Sequence, residues 1–287
     1  MPLPEAAQTP DPELKQQVRD FWQAAACGEV YARGDSLRER LDAQARSRYA
    51  LEPYLAKFAR FADGRDRDVL EIGVGMGADH LEWARSAPRS LTGVDLTSQA
   101  IELSRARLGL HGLGSRLLVT DAEDLPFRAA SFDLVYSWGV IHHSPNTAAA
   151  AREIRRVLRP GGRARVMIYQ HRSLVGLMLW LRYGLGVGRP FRSLREIYAL
   201  KLESPGTKAY TPAEARALFS GFDAVQVRSE LSPGDLLLGA AGQRHQGILL
   251  DTARRLLPRS AIRRLLPGLG LHLLIEATRP AAEGERR

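Results

Sequence analysis

The residues of this chain with the clearest chemical content lie where an apolar run ends in a carboxylate and a glycine-dense turn follows. The stretch DVLEIGVGMGADH places Glu71 two residues before the first of three alternating glycines, Gly73, Gly75 and Gly77. Glycine adopts backbone dihedral angles that are closed to other residues, and it leaves no side chain between the chain and a ligand. A strand, such a turn and a helix are together typical of proteins that hold an adenosine-bearing cofactor. With Ala78 the run also satisfies the dinucleotide pattern G-x-G-x-x-G/A, so the turn alone leaves the cofactor open.

The position of Glu71 favours a cationic cofactor. A carboxylate at the mouth of the strand would repel the pyrophosphate of a nicotinamide nucleotide, whereas S-adenosylmethionine has no phosphate and carries an ammonium and a sulfonium group. Further along, LTGVDL predicts a second strand that ends in Asp95. A carboxylate there accepts hydrogen bonds from both ribose hydroxyls of either cofactor. Asp95 therefore indicates a nucleoside without choosing between the two.

Composition and charge bound the class of protein. The chain has 287 residues, 45% of them hydrophobic, which suits one elaborated domain or a domain with appendages. Its single cysteine, Cys27, excludes an intramolecular disulfide and fits a reducing compartment. The N-terminus lacks the basic start and apolar core of a secretory signal, so a cytoplasmic protein is expected. The net charge of +9 comes mainly from arginine, without a dense basic run interleaved with aromatic residues, and no nucleic-acid partner is expected.

Three zones follow one another along the chain. Residues 1–64 are predicted to form a helical N-terminal cap, because apolar residues recur near helical spacing up to a break at Gly64. Residues 65–170 alternate strand and helix patterns, which predicts a parallel sheet covered on both faces, with ligands at the carboxyl ends of the strands. Residues 171–287 are predicted to complete the sheet and to add insertions. The strand candidates of the middle zone are Asp68–Val74, Leu91–Asp95, Arg116–Asp121, Phe132–Trp138 and Arg163–Tyr169.

The third zone has its own start and stop signals. Thr211 followed by Pro212 predicts the beginning of a helix, with the threonine as its N-cap. A strand is expected near Ala224–Arg228, and LHLLIEATRP (Leu271–Pro280) is expected to be the last strand. In the middle zone, Pro160 to Gly162 is predicted to be a tight turn into the fifth strand.

Five motifs occur in a fixed order: E-x-G-x-G-x-G at 71–77, D-A-E-D-L-P-F at 121–127, S-F-D-L-V at 131–135, H-H-S-P at 142–145 and R-V-L-R-P-G-G at 156–162. Together with Asp95 they make residues 69–169 resemble the class I S-adenosylmethionine-dependent methyltransferases, and most of all the small-molecule branch that contains the ubiquinone and menaquinone C-methyltransferases. The resemblance implies an α/β fold with a Rossmann-like, mostly parallel sheet of seven strands and helices on both faces. The last strand would be antiparallel and inserted beside the fifth. The N-terminal cap and two acceptor-side insertions, 171–210 and 231–270, would surround the acceptor pocket.

The resemblance also implies a role for each element of the cofactor site. The amides of the glycine turn and of the next helix N-terminus would hold the carboxylate of the methionine moiety. Glu71 would bind the ammonium group of the same moiety. Asp121 would accept from the adenine amino group, Ala122 would offer a backbone donor, and Leu96 and Met76 would flank the adenosine. Core packing is the open alternative for the last two. The expected cofactor residues are Glu71, Gly73, Gly75, Met76, Gly77, Asp95, Leu96, Asp121, Ala122, Glu123 and Ser137.

Catalysis needs a general base only if the acceptor loses a proton. The candidates are His143 and His142, just after the fourth strand, because histidine titrates near neutral pH. Packing against the cofactor or capping the next helix is the alternative role for both. Tyr169, Tyr49 and Trp22 could face the acceptor or close over the cofactor, with core packing again the alternative. No metal is expected, because the adjacent histidines have no carboxylate or thiol partner at ligand spacing.

The segment after the fourth strand also narrows the acceptor. It contains neither the N-P-P-Y run of methyltransferases that act on amino groups of nucleic-acid bases nor the paired glutamates of protein arginine methyltransferases. A small-molecule, sugar or lipid-linked acceptor remains, with O-methylation preferred and C-methylation of a quinone-like or polyketide-like acceptor as the alternative. An NAD(P)-dependent oxidoreductase and a non-catalytic S-adenosylmethionine-binding subunit stay open as other classes. A monomer or a homodimer is expected.

A basic, leucine-rich stretch between Gly247 and Leu266, assisted by the apolar Leu174–Leu185, has the composition of a helix that lies on an anionic bilayer. It predicts weak peripheral association with the inner membrane face, which would suit an acceptor with a lipid tail. Packing onto the core, with the arginines in solvent, is the alternative.

Overall fold

The computed structural model describes residues 11–238 and 258–281, which form a seven-stranded sheet flanked by helices. The strand order is β3-β2-β1-β4-β5-β7-β6, and β7 runs antiparallel to both of its neighbours. The strands are β1 (Asp68–Ile72), β2 (Ser90–Asp95), β3 (Arg116–Val119), β4 (Phe132–Trp138), β5 (Leu158–Tyr169), β6 (Asp223–Glu230) and β7 (His272–Thr278). The predicted sheet of seven strands, with the last one antiparallel beside the fifth, is confirmed.

Helices precede, connect and follow the strands. The α-helices are α1 (Pro12–Ala24), α2 (Leu37–Leu51), α3 (Leu55–Ala59), α4 (Ala78–Arg85), α5 (Ser98–Leu110), α6 (Thr147–Val157), α7 (Leu174–Tyr183), α8 (Leu194–Lys201), α9 (Pro212–Leu218) and α10 (Arg259–Leu265). Short 3-10 segments lie at Glu29–Tyr31, Phe61–Gly64, Leu185–Val187 and Pro267–Leu269. No helix within the described ranges is both long and apolar enough to cross a bilayer.

The central strands are buried on both faces, as the apolar runs in their sequences predict. In β1, Leu70 and Ile72 belong to a core that also contains Ile154 of α6 and Phe219 of α9. Val69, one residue out of phase, belongs to the opposite core, together with Phe58 of α3 and Trp83 of α4. Glu71 shares the face of Val69, because side chains alternate along a strand. The glutamate is thereby directed toward the side that carries the N-terminal helices.

Local signals fix where the helices begin. Ser36 and Glu39 form a reciprocal capping box at the start of α2, and Thr211 and Glu214 form another at the start of α9. Pro212 occupies the first turn of α9, where a missing amide hydrogen costs nothing. The predicted Thr211 cap is therefore confirmed.

The segment 160–162 differs from its prediction as a tight turn into the fifth strand. It lies inside β5, at a shift in the register of pairing with β4. Leu158 lies opposite Phe132, but the next paired residue of β5 is Arg163, which lies opposite Leu134. Gly161 has φ 73°, and its amide donates to the Arg279 carbonyl beyond β7 at 2.9 Å. A glycine in this conformation lets the strand absorb extra residues as a bulge without ending the sheet.

The parts outside the middle zone close around one edge of the sheet. The N-terminal cap is helical as predicted, and its last 3-10 segment ends at Gly64. The insertion at 171–210 contains α7 and α8 and returns to the sheet through a bridge between Gln170 and Tyr210. Of the basic stretch between Gly247 and Leu266, residues 247–257 lie outside the described residues, and α10 covers most of the rest.

Candidate functional site

A cleft of about 300 Å³ opens at the carboxyl ends of β1, β2, β4 and β5. Lys15 and Trp22 of α1 and Arg48 of α2 line it from the N-terminal cap. The start of β7 adds His272 at the same edge, because this strand runs antiparallel to β5. The carboxyl edge of a parallel sheet is where α/β proteins bind ligands. The cleft is therefore the candidate site.

The glycine turn shapes the floor of the cleft. Gly73, Gly75 and Gly77 have φ of 82°, 49° and 76°, in the left-handed region. A Cβ atom at Gly73 would lie 2.1 Å from the Val140 Cγ2, and one at Gly77 would lie 2.9 Å from the Ser104 Cα. A Cβ at Gly75 would meet no atom of the described residues within 4 Å. Gly73 and Gly77 thus allow the protein to pack on itself, whereas Gly75 borders open space.

Asp95 is fixed at the edge of this turn by its neighbours. Its Oδ2 accepts from the Gly75 amide at 3.1 Å, and its Oδ1 accepts from the Thr97 amide and hydroxyl at 3.0 and 2.9 Å. Burial raises the pKa of Asp95, although these three hydrogen bonds oppose the rise. The carboxylate therefore ties the end of β2 to the glycine turn and also faces the cleft.

Glu71 also lines the cleft, and it has a partner that the sequence did not reveal. Its Oε2 lies 2.9 Å from Nδ1 of His80, whose Nε2 lies 2.7 Å from the Ser115 hydroxyl. Burial raises the pKa of Glu71 well above its ordinary value, with Asp79 and Asp95 adding to the rise. Burial also lowers the pKa of His80 to about 3. A cation bound beside Glu71 would favour its charged form, as the expected ammonium contact requires.

Asp121 lies at the adenine end that the resemblance implies, and Lys15 already holds it. The Lys15 ammonium pairs with Asp121 and with Glu123, the latter at 2.7 Å. The Asp121 Oδ1 accepts from the Glu123 amide at 2.9 Å. An adenine amino group would compete with Lys15 for the Asp121 carboxylate. Helix α1 is thus placed to cover or release this end of the cleft.

Most of the expected cofactor residues line the cleft, but three do not. Ser137 is buried on the opposite face of β4 from its neighbours Tyr136 and Trp138. Glu123 accepts from the Ser144 hydroxyl and the Asn146 amide, so its carboxylate holds the turn after β4. Gly77 caps α4 beneath the turn. The expected residues that do line the cleft are Glu71, Gly73, Gly75, Met76, Asp95, Leu96, Asp121 and Ala122.

Asp79, in the first turn of α4, joins the N-terminal cap to the sheet. Its carboxylate accepts from Arg48 Nε and Nη2 at 2.9 and 2.6 Å, from the Tyr49 hydroxyl at 3.0 Å and from the Tyr136 hydroxyl at 2.8 Å. Burial acts to raise the pKa of Asp79, but the guanidinium and these hydrogen bonds hold it below the ordinary value. Tyr49, which was expected to close over the cofactor or pack in the core, has its hydroxyl engaged here.

His143 is the histidine that faces the cleft. Its Nδ1 lies 2.8 Å from the Ser204 hydroxyl and 3.1 Å from the Thr207 hydroxyl, and its Nε2 lies 3.3 Å from the Glu203 Oε2. The same Glu203 oxygen accepts from the Tyr169 hydroxyl at 2.9 Å. The segment that follows α8 thus fixes the orientation of the His143 ring and leaves its Nε2 buried beside Glu203.

His142 is placed differently. It is fully buried and does not line the cleft, and its ring contacts those of His143 and Tyr169 at centroid distances of 4.1 and 4.0 Å and interplanar angles of 41° and 44°. Burial lowers the pKa of His142 well below its ordinary value. This environment favours the packing alternative for His142 over a catalytic role.

The expected absence of a carboxylate beside the histidines is corrected by Glu203. Ligand atoms of His142, His143 and Glu203 lie within 4.8 Å of one another, so these three residues offer two imidazoles and a carboxylate. Both ring nitrogens of His142 are buried without a hydrogen-bond partner among the described residues. The prediction of no metal stays a prediction.

Glu52 and His272 complete the end of the cleft near β4 and β5. The Glu52 carboxylate lies 3.6 Å from Arg48 and 3.8 Å from His272, and the Trp138 indole hydrogen-bonds to it. Burial raises the pKa of Glu52 to about 7 and lowers that of His272 to about 3. The His272 ring stacks on Tyr169 at an interplanar angle of 8°. Aromatic and acidic side chains therefore define this end.

Sequence reasoning missed several residues that the fold brings into the cleft. Asp79 lies within the glycine-turn run, and its place directly after the turn was the available signal. His80 follows it and contacts Glu71 without lining the cleft. Lys15, Glu52 and Glu203 come from three separate segments outside the motifs. Only the folded chain brings these three to one edge of the sheet.

Comparisons with known proteins match the middle of the chain to methyltransferases. A family described as a methyltransferase domain matches residues 70–166. A fatty-acid O-methyltransferase of Mycolicibacterium smegmatis is 38% identical over 117 residues, 40% of this chain and 42% of the relative. A 27-O-demethylrifamycin SV methyltransferase of Amycolatopsis mediterranei is 33% identical over 97 residues, 33% of this chain and 36% of the relative. The chain therefore spans less than half the length of these relatives.

A solved structure resembles nearly the whole chain. The [4+2]-cyclase SpnF aligns with a TM-score of 0.57 and 17% identity, covering 96% of this chain and 100% of that one. At this identity the likeness concerns the fold alone. It shows that the likeness of fold extends beyond the matched segment.

The glycine turn yields a first prediction. We expect Gly75→Ala to fold with a loss of about 1–2 kcal/mol from its left-handed backbone, and to bind S-adenosylhomocysteine at least about tenfold more weakly, because the new methyl group fills ligand space. Gly77→Ala is the matched control, since its methyl group would collide with Ser104 and chiefly lower stability. Thermal unfolding and calorimetry measure the two effects separately. Wild-type affinity in Gly75→Ala would show that the ligand lies elsewhere.

Glu52 yields a second prediction, on pH. Because its pKa is about 7 in the folded state and 4.5 ordinarily, the folded protein binds this proton more tightly, and stability is lost as pH rises through about 7. Glu52→Gln removes that loss, so we expect it to be more stable than the wild type at about pH 8, by on the order of 2–3 kcal/mol, and nearly equal at about pH 5. Urea unfolding at both pH values tests this. Glu196→Gln, at an exposed site, is the control. The prediction would be contradicted if the stability of Glu52→Gln depended on pH as that of the wild type does.

Proposed function

We propose that this chain, whose residues 70–166 form a class I S-adenosylmethionine-dependent methyltransferase domain, transfers a methyl group to an oxygen atom of a small-molecule, sugar or lipid-linked acceptor. The observation that carries the proposal is the joint placement of the acid-rimmed glycine turn and His143 on one cleft. The acid-rimmed glycine turn suits a cationic nucleoside, and His143 offers a base at the other end of the cleft. The O-methyltransferase names of the two relatives support the preference for oxygen.

The residues at the turn fit S-adenosylmethionine. Gly75 leaves an open cradle, and Glu71, Asp95 and Asp121 present carboxylates at the carboxyl ends of three neighbouring strands. These groups match an ammonium, a ribose diol and an adenine amino group in order along the cleft. When bound, the cofactor supplies a methyl group on a sulfonium, which is an activated leaving group.

Positioning and exclusion of water carry most of the proposed catalysis. Trp22 from α1 and Trp138 and Tyr169 from the sheet surround the space in front of the cofactor cradle. These rings would hold an acceptor atom in line with the methyl group and keep solvent out. Lys15, through its ion pair with Asp121, would hold α1 over the cleft until a cofactor displaces it.

His143 is the proposed general base for an acceptor hydroxyl. Ser204 and Thr207 hold its Nδ1, which leaves the buried Nε2 next to Glu203, whose side chain is partly exposed. A neutral imidazole so oriented can take the hydroxyl proton while the carbon–oxygen bond forms. C-methylation of a quinone-like or polyketide-like acceptor is the remaining alternative, and a methyl group found on carbon would establish it.

The direct test of the proposal has two steps. Calorimetry compares S-adenosylmethionine with NAD and NADP, and we expect binding of the first alone. Methyl-labelled S-adenosylmethionine is then incubated with the protein and a cell extract, and mass spectrometry locates the label. Heat only with nicotinamide nucleotides would overturn the proposal, and cofactor binding without label in any product would indicate a non-catalytic subunit.

His143 yields a third prediction. With the labelled acceptor in hand, we expect His143→Ala to lower kcat by about 10²–10⁴-fold and to leave S-adenosylhomocysteine affinity within about threefold, because the imidazole acts on the acceptor proton. His111→Ala, at the end of α5 and outside the cleft, serves as the control. Unchanged kcat in His143→Ala would leave positioning alone as the source of catalysis.

We further propose that the surface formed by the insertion at 171–210 binds to an anionic membrane. Phe191 is 99% exposed, and Leu177, Leu181, Leu185 and Val187 are exposed around it in sequence. A groove lined by Leu177, Trp180, Arg192, Arg195 and Leu269 lies on the same side. Exposed apolar side chains flanked by arginine suit a surface with an apolar interior and anionic headgroups. This location would bring a lipid-linked acceptor close to the cleft.

Vesicle flotation provides the fourth prediction. At low salt we expect binding to vesicles of phosphatidylglycerol and phosphatidylcholine but not to phosphatidylcholine alone. Phe191→Ser should weaken the binding about tenfold, since burial of a phenyl ring contributes about 1.5–3 kcal/mol. Val119→Ser, at an exposed site on β3, is the matched control. Absence of flotation at low salt would remove the membrane proposal.

A further inference from the structure

The charge of the cleft is opposite to that of the whole chain. The protein carries a net charge of +9. Among the described residues that line the cleft, the carboxylates are Glu52, Glu71, Asp79, Asp95, Asp121 and Glu203, and the permanent cations are Lys15 and Arg48. A cleft of one sign selects ligands of the other through its local potential.

Both cations are already compensated. Arg48 holds Asp79 with two hydrogen bonds and lies 3.6 Å from Glu52, while Lys15 pairs with Asp121 and Glu123. A carboxylate or phosphate entering the cleft would have to take one of these cations from its buried partner. Leaving a buried charge without its partner is unfavourable.

The carboxylates divide between the two ends of the cleft. Glu71, Asp95 and Asp121 follow β1, β2 and β3 and belong to the proposed cofactor end. Glu203 and Glu52 lie at the other end, beside Tyr169 and Trp138 at the ends of β5 and β4. Glu203 is 33% exposed, so an incoming acceptor can reach its carboxylate.

We propose that Glu203 determines acceptor specificity: it admits an acceptor that presents a neutral hydroxyl group and rejects one that presents a carboxylate. The hydroxyl hydrogen of an acceptor can be shared between the Glu203 carboxylate and Nε2 of His143, which lie 3.3 Å apart. Glu203 then orients the oxygen that is to be methylated, and His143 takes the proton during transfer. An acceptor carboxylate at the same place would face Glu203 and Glu52 with no uncompensated cation among the described residues of the cleft. The proposal rests on the methyl-transfer function proposed above and narrows its acceptor.

Two probes that differ in charge but not in tail test this inference: para-octylphenol and para-octylbenzoic acid. Calorimetry on the full chain loaded with S-adenosylhomocysteine measures the affinity of each at neutral pH, where the phenol is neutral and the acid is charged. We expect the phenol to bind at least about tenfold more tightly than the benzoate. Equal affinity, tighter binding of the benzoate, or failure of the phenol to bind at its solubility limit would overturn the proposal.

The variant Glu203→Gln tests whether Glu203 is the residue that causes the preference for the phenol over the benzoate. The amide keeps the shape of the side chain and removes its charge, so the ratio of benzoate to phenol dissociation constants should fall by about tenfold. Glu196→Gln, on α8 and paired with Arg192 outside the cleft, should leave the ratio unchanged. An unchanged ratio in Glu203→Gln would overturn the assignment.

The two proposals fail in distinguishable ways. Loss of the methyl-transfer proposal would appear as absence of S-adenosylhomocysteine binding in the loading step, before any acceptor probe is added, or as absence of label from every product in the labelling experiment. Loss of the specificity proposal would appear as normal loading followed by a probe ratio that does not favour the phenol. Glu203→Gln is itself checked in the loading step, because its affinity for S-adenosylhomocysteine should equal that of the wild type.

Discussion

The buried carboxylate of Asp79 is the interaction on which the arrangement of the cleft depends. It lies one turn beyond the glycine cradle and receives hydrogen bonds from Arg48 and Tyr49 of α2 and from Tyr136 of β4. Removal of one partner from such a pair typically costs 3–5 kcal/mol, roughly, because a charge is left buried without compensation. The N-terminal cap therefore cannot shift at this point without exposing or stranding that charge. One side chain thereby fixes the wall of the cleft relative to its floor.

The excess of carboxylates in the cleft has a consequence for turnover. A sulfonium cofactor carries a positive charge that disappears when its methyl group leaves. The carboxylates of the cleft would stabilise the charged cofactor more than the product, whose sulfur is neutral. They include Asp79, Asp95 and Glu71, and burial raises the pKa of Glu71. The same potential that favours binding before the reaction thus weakens the hold on the product after it. An acidic cleft in a basic protein is therefore suited to repeated exchange of this cofactor.

The sequence predicts the sheet better than it predicts the site. The strands follow from apolar runs, the place of the last strand in the sheet follows from the resemblance to the methyltransferase family, and the cradle follows from three glycines. The bulge in β5 was missed because Pro160, Gly161 and Gly162 have the local composition of a turn, and only pairing with β4 and the contact to Arg279 keeps them in the strand. His142 stands within a recognisable motif and Ser137 two residues after another, yet neither lines the cleft, because neighbouring residues in a strand or tight turn face different sides.

Acceptor choice lies beyond what the matched segment can encode. Residues 70–166 contain the cradle and His143, but Glu52 comes from the end of α2, Glu203 from the insertion after α8, and His272 from the last strand. These three segments are far apart in sequence, so no local pattern relates them. The likeness of the fold to a [4+2]-cyclase makes the same point, since one backbone arrangement supports different chemistry when the side chains at its edge differ. Under the proposed function, substitution at this end of the cleft should therefore change which acceptor is methylated. Substitution in the cradle should change whether any acceptor is methylated.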